Sequence, residues 1–230
     1  MKNSTHIINT IIEKYRGNLH PVFSWDLNNS NCVAIDLSNN NSDISEVDIA
    51  STAALSDFIF SKLRIANKRC GIGGYNEDRV VYRRSEHFGT GDNCRSIHLG
   101  IDIWCQSGTV IRTPLPATIH SFRVNDNFGD YGPTIILEHQ LDGVRFYSLY
   151  GHLSVSSLLR KSIGMRFDAG QIVASTGEPH ENGNWPPHLH FQLIADMQNY
   201  HGDYPGVCSL SERDYFLQLC PDPSVILQIE

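Results

Sequence analysis

Two short segments far apart in the chain constrain it most: His98-Leu99-Gly100-Ile101-Asp102 and Pro187-His188-Leu189-His190-Phe191. Both are apolar and β-branched or aromatic in flavour, so both read as strands. Alternation along a strand puts residues i, i+2 and i+4 on one face. His98 and Asp102 then project to one side, as do His188 and His190, and laying the strands together converges four polar side chains on one point. Two imidazoles and a carboxylate form a zinc ligand set with a position left for water, which is the pattern of a catalytic site rather than a closed structural one. One histidine remains for catalysis. Gly100 inside the first segment and Pro186-Pro187 before the second make the joint pattern much more specific than a lone His-x-His.

A third segment, Tyr150-Gly151-His152-Leu153, lies between the two. With it the chain resembles the lysostaphin-like (LytM-type) zinc endopeptidases, a family that includes bacterial cell-wall hydrolases and carries these three motifs in this order. The resemblance implies that His98, Asp102 and His190 hold one zinc per chain. It also implies that His152 and His188 are catalytic histidines that do not bind the metal. The activity implied is hydrolysis of peptide bonds, in peptidoglycan-derived or glycine-containing peptides. The chemistry is coherent, because zinc acidifies water towards a pKa of about 7 and polarises a carbonyl. The carbonyl oxygen then needs a donor, and imidazoles can supply that donor and manage the proton of the attacking water. Which of His152 and His188 does which is left open. Trp185 is a candidate for substrate contact, although packing beside Pro186 and Pro187 explains it equally well, and Tyr150 is a second candidate.

The stretch between the motifs reads as β-structure. Segments 107–114 and 115–120 are two short strands around a Pro-bounded turn, and 168–177 is another strand bounded by glycines. Segments 133–139 and 144–150 form a hairpin, with Asp142-Gly143 as the turn signal. His152 follows the hairpin's second strand, a suitable place for an active-site residue. His120 and His139 read as sheet residues, and His180 as a solvated loop residue. The expected fold class is α+β: an antiparallel β-sheet-rich zinc peptidase domain over 89–230, including a C-terminal extension, behind a small N-terminal α+β appendage over 1–88.

In that appendage, Ile7, Ile8, Ile11 and Ile12 recur at the spacing of an amphipathic helix. Segments 22–25 and 32–37 read as strands, and 44–65 as one helix with Ser42 or Asp43 as its N-cap. Gly71, Gly73 and Gly74 close the region. Segment 75–84 reads as a strand leading into the catalytic domain, with Glu77, Arg79, Arg83 and Arg84 on a solvated face.

The N-terminus has no continuous apolar core of the signal-peptide kind, and no segment approaches the roughly 18 apolar residues of a membrane span. The expectation is a cytoplasmic protein, unless it is exported by a route that leaves no cleavable signal. Of its six cysteines, Cys32, Cys70, Cys94, Cys105, Cys208 and Cys220, reduced thiols are then expected. A net charge of −7 argues against broad nucleic-acid binding and gives no reason to expect a membrane partner.

A wider resemblance runs from about residue 20 to the C-terminus. Asp36-Leu37-Ser38, segment 74–79, segment 130–139, segment 181–187 and segment 219–223 look like the metallopeptidase-like segment that precedes class III aminotransferase domains in some multidomain proteins. That likeness implies an intracellular setting. The alternative to an enzyme is a latent or non-catalytic zinc-binding regulatory module, with Asn93 or the 75–84 stretch covering the site or adding a ligand. Regulators of the family tend to have lost ligands, and this chain keeps all five site residues, which favours the enzyme.

Overall fold

Most of the strand signals come together in one sheet. The computed structural model describes residues 4–89 and 94–229. Its strands are β1 (Cys32–Ile35), β2 (Cys70–Gly73), β3 (Arg95–His98), β4 (Ile101–Trp104), β5 (Val110–Arg112), β6 (Ala117–Asn125), β7 (Gly132–Leu141), β8 (Val144–Gly151), β9 (Arg166–Phe167), β10 (Ile172–Ser175), β11 (His188–Ile194) and β12 (Val207–Ser209). Eight of them form the main sheet in the order β1-β2-β4-β11-β8-β7-β6-β9. Only β1 and β2 pair in parallel within it. β5 and β10 make one two-stranded sheet, β3 and β12 another.

The β7–β8 hairpin is built as its turn residues require. Asp142 and Gly143 both take positive φ, 48° and 79°, the conformation whose twist matches that of the flanking strands. Phe146, Leu149 and Tyr150 of β8, together with Ile135 and Leu137 of β7, are buried. One core cluster gathers Phe146, Tyr150, Ile135 and Leu137 with Phe191 and Leu193 of β11 and with Ile8 and Ile12 of helix α1 (Ser4–Lys14), whereas Leu149 packs in another with Ile136 and Ile194.

The remaining helices are α2 (Ser42–Ser45), α3 (Thr52–Ala66), α4 (Arg213–Leu219) and α5 (Ser224–Leu227). α3 buries Leu55, Ile59 and Leu63 in a second cluster with Ile35, Trp104, Tyr82 and Trp185. None of the described helices is long and apolar enough to cross a membrane.

Several expectations are corrected. Segment 22–25 forms no ladder; Phe23 instead stacks on Trp25 with centroids 5.0 Å apart. The single helix expected over 44–65 is two, broken at 46–51. Ser51 caps α3 by accepting from the Ala54 N–H, and Asn67 ends it in the left-handed region. Cys70–Gly73 is a sheet strand between β1 and β4. The stretch 75–84 is a turn followed by a 3-10 helix, Val80–Arg84, and its Arg79 and Arg84 are buried, not solvated. Cys32 and Cys70, register partners across β1 and β2, form a disulfide, whereas Cys94, Cys105, Cys208 and Cys220 are free as expected.

Candidate metal centre

Sheet register assembles the site. His190 of β11 lies opposite Asp102 of β4 on one side and opposite Gly151 of β8 on the other. His188 sits two residues away on the same face. His98 and Asp102 do not share one continuous strand, contrary to the sequence reading. β3 ends at His98 and pairs with β12, while β4 begins at Ile101 in the main sheet. The Leu99-Gly100 break still returns the two side chains to one point, with His98 Nε2 3.3 Å from Asp102 Oδ1. His152 follows β8 at φ 59°, and its ring lies 4.0 Å from that of His188.

All five side chains are buried, at 0 to 5 % exposure. His98, Asp102 and His190 each offer one ligand atom, all within 4.8 Å of one another. Asp102 Oδ1 is 3.0 Å from His190 Nδ1 and 3.8 Å from His188 Nε2.

The far nitrogen of each ring fixes which lone pair faces inward. His98 Nδ1 donates to the Gly74 carbonyl at 2.9 Å, His152 Nδ1 to the Asn182 carbonyl at 2.8 Å, and His188 Nδ1 to the Pro186 carbonyl at 2.7 Å. These acceptors have no proton of their own, so each neutral ring keeps Nε2 bare. His190 is turned the other way: its Nε2 donates to Gln192 Oε1 at 3.0 Å, and Gln192 is oriented by donating from Nε2 to the Pro205 carbonyl. His190 Nδ1 is therefore bare, 3.0 Å from the bare His98 Nε2.

Burial pushes His98 and His188 down to about 4, with Arg79 adding to the effect at His98. Burial and then His188 hold His152 well below its usual value. Burial works against the charge on Asp102, but His98 and Arg79 outweigh it and keep the carboxyl well below its usual range. Bare nitrogens packed around an ionised carboxylate call for a cation at their centre. Imidazole and carboxylate donors of this kind suit zinc, so the residues fit the metal.

A cavity of about 230 Å³ opens onto the group, and Asp102, His152, His188 and His190 line it together with Tyr82, Trp185 and Tyr131. Trp185 thus stands at the site. Tyr150 does not: it is buried in the core edge-on to Phe191, away from the cavity lining. Asn93 lies outside the described residues. The stretch 75–84 does reach the site, through Arg79 and Tyr82. Arg79, Glu77, Asn182 and Gln192 are the participants that residue pattern alone did not pick out. Glu77 and Arg79 fall in segment 74–79 and Asn182 in segment 181–187, two of the segments on which the wider resemblance rests, whereas nothing local marks Gln192.

A β-sheet gathering two imidazoles and a carboxylate, with two further imidazoles beside them, is an arrangement suited to a single hydrolytic metal. Residues 96–201 match the model of peptidase family M23, a span of just under half the chain that contains all five residues. No curated protein matches the chain. Among solved structures it is similar to the catalytic domain of the antimicrobial peptidase lysostaphin from Staphylococcus simulans (27% identity, 58% of this chain, 80% of that one, TM-score 0.37). It is also similar to a mutant catalytic domain of the prophage-encoded M23 protein EnpA from Enterococcus faecalis (24%, 51%, 82%, 0.36). A third likeness is to a zinc-containing peptidase from Vibrio cholerae (22%, 43% of this chain, TM-score 0.35), of whose length this chain spans 27%.

Proposed function

We propose that this chain is a zinc-dependent metallopeptidase, with His98 Nε2, Asp102 Oδ1 and His190 Nδ1 as the ligands and His152 and His188 as the catalytic pair. The observation that carries the reading is the set of bare ring nitrogens converging on one ionised carboxylate. Bound there, zinc would acidify a water and polarise an amide carbonyl.

The chain's own groups do the rest. His152 Nε2 and His188 Nε2 start unprotonated, because their protons sit on Nδ1 against backbone carbonyls. Either can accept the proton of the attacking water, and the imidazolium so formed can donate to the developing oxyanion or to the leaving amine. Trp185 and Tyr82 wall the cavity with aromatic surface, which suits a peptide backbone laid flat. A cavity of this size with aromatic walls suits a short peptide as substrate, with peptidoglycan-derived and glycine-containing peptides first in line. The likeness to segments preceding aminotransferase domains argues for including peptides unrelated to the cell wall.

A second reading, a latent or regulatory zinc module, is favoured by the burial of all five residues and by the place of Arg79, Tyr82 and Phe88 in the cavity wall. Zinc stoichiometry together with cleavage of a peptide and muropeptide panel separates the two, with His152→Ala as control. One zinc with turnover lost in His152→Ala establishes the hydrolase. One zinc and no turnover on any member favours the regulatory reading, and a folded protein that takes up no zinc overturns both.

A further inference from the structure

The M23 match begins at residue 96, yet two of the three ligands are held from outside by a turn that precedes it. In residues 74–79 the Gly74 carbonyl accepts from His98 Nδ1 and from Arg79 Nη2 at 3.2 Å. Arg79 Nη1 donates to Asp102 Oδ2 at 2.5 Å, and Arg79 Nε donates to Glu77 Oε2 at 2.6 Å. Glu77 is itself anchored, its other oxygen accepting from the Leu37 N–H at 3.2 Å. Backbone bonds lace the turn to β3: the His98 N–H donates to the Glu77 carbonyl and the Arg79 N–H to the Ser96 carbonyl, both at 2.9 Å. The guanidinium is 1 % exposed and lies in a cradle that only glycine permits, since a Cβ on Gly73 would fall 2.7 Å from Arg79 Nη2.

We propose that Arg79 is a positioning residue that enforces one-oxygen coordination by Asp102 and so keeps a coordination position open. The inference rests on the metal-site reading above. A carboxylate binds a metal through both oxygens only if both can face it. Here the guanidinium occupies Oδ2, so only Oδ1 faces His98 and His190. Outer partners of this kind orient a ligand, and their loss typically lowers metal affinity roughly 10–100-fold. Arg79 also balances the buried Asp102 charge before metal arrives, which keeps the pocket assembled without it.

The test uses the full chain loaded with cobalt(II) in place of zinc, comparing wild type, Arg79→Gln, Arg79→Lys and Glu77→Gln by visible absorption. Zinc affinity is measured alongside by competition with a chromophoric chelator. Wild type should show the intense bands of four-coordinate cobalt. Arg79→Gln should show weaker, shifted bands of higher coordination and a zinc affinity lower by roughly tenfold or more. Arg79→Lys should recover part of both, because an ammonium can hold Oδ2 but cannot also bridge to Glu77. Glu77→Gln, which keeps Arg79 but loosens its anchor, should shift the bands in the same sense by less, and it carries the test if Arg79→Gln does not fold. A wild-type spectrum and affinity in Arg79→Gln overturns the inference, as does an unshifted spectrum in Glu77→Gln where that variant stands in. Wild type that binds neither cobalt nor zinc overturns instead the metal-site reading on which it rests.

Discussion

Gly100 lies against the ring of His190: a Cβ built on it would fall 2.6 Å from Cε1 and 2.7 Å from Nε2, and 2.8 Å from the Phe191 carbonyl oxygen. The glycine in the first motif therefore serves the histidine in the second. Gly100→Ala must push His190 off the geometry set by Gln192, or push β11 away from β4. Zinc affinity should fall at least roughly tenfold, with a stability loss of about 1–3 kcal/mol from overpacking. Zinc competition and thermal unfolding of the variant check both, and unchanged affinity would remove this role for Gly100.

His98→Ala and Asp102→Ala should both abolish metal binding, but they should differ in the metal-free protein. Removing the Asp102 carboxylate strands the Arg79 guanidinium in the interior with Glu77 as its remaining ion pair. That should cost about 3 kcal/mol, the low end for breaking a buried pair. His98→Ala removes a neutral ring and should cost less. Chemical unfolding of both variants under chelator decides it, and equal losses would contradict the account of Arg79.

His139 sets an acid limit on stability. It is buried in β7, with Nδ1 donating to the Pro116 carbonyl and Nε2 accepting from Ser148 Oγ, and burial lowers its pKa from 6.5 to about 4. The folded state thus binds its proton less readily than the unfolded chain. Its contribution is fully present above about pH 6.5 and is lost as pH falls towards 4, amounting to about 3 kcal/mol. His98, His152 and His188 shift in the same direction. The difference in unfolding free energy between wild type and His139→Gln, followed from pH 7 to pH 4, isolates the His139 share. A difference independent of pH would exclude it.

The Cys32–Cys70 disulfide spans a sequence separation of 38, and opening it should cost about 3–4 kcal/mol through the entropy regained by the unfolded chain. Reductant should lower the melting temperature accordingly. Thiol titration in denaturant should count four reactive groups, and the folded protein should react first at Cys94, the one free cysteine that is not buried. Six thiols in denaturant would show the bridge to be absent.

Much of the site was legible because metal ligation needs few residue types at spacings that survive errors in local structure. His98 and Asp102 converge even though the strand assumed to carry both is broken at Gly100. The hairpin was legible because Asp142-Gly143 encodes a backbone conformation locally. The N-terminal part was not, and the reasons are tertiary. Cys70–Gly73 is glycine-rich and reads as a terminator, yet its glycines admit what packs closely against the strand, Ile35 over Gly71 and the Arg79 guanidinium over Gly73. Arg79 reads as a surface charge because nothing local reveals that a carboxylate 23 residues onward will meet it in the interior.

The place of β11 makes it the strand that joins the sheet. Its neighbours are β4 and β8, so without it the sheet would fall into two halves, β1-β2-β4 on one side and β8-β7-β6-β9 on the other. β11 is also the last of these strands to leave the ribosome. It pairs with residues far back along the chain, the kind of closure that makes folding slow. The strand that joins the halves brings His188 and His190 with it. A chain without β11 carries His98 and Asp102 but lacks His190 and His188, so under the proposed zinc reading the ligand set would close only when this strand joins the two halves.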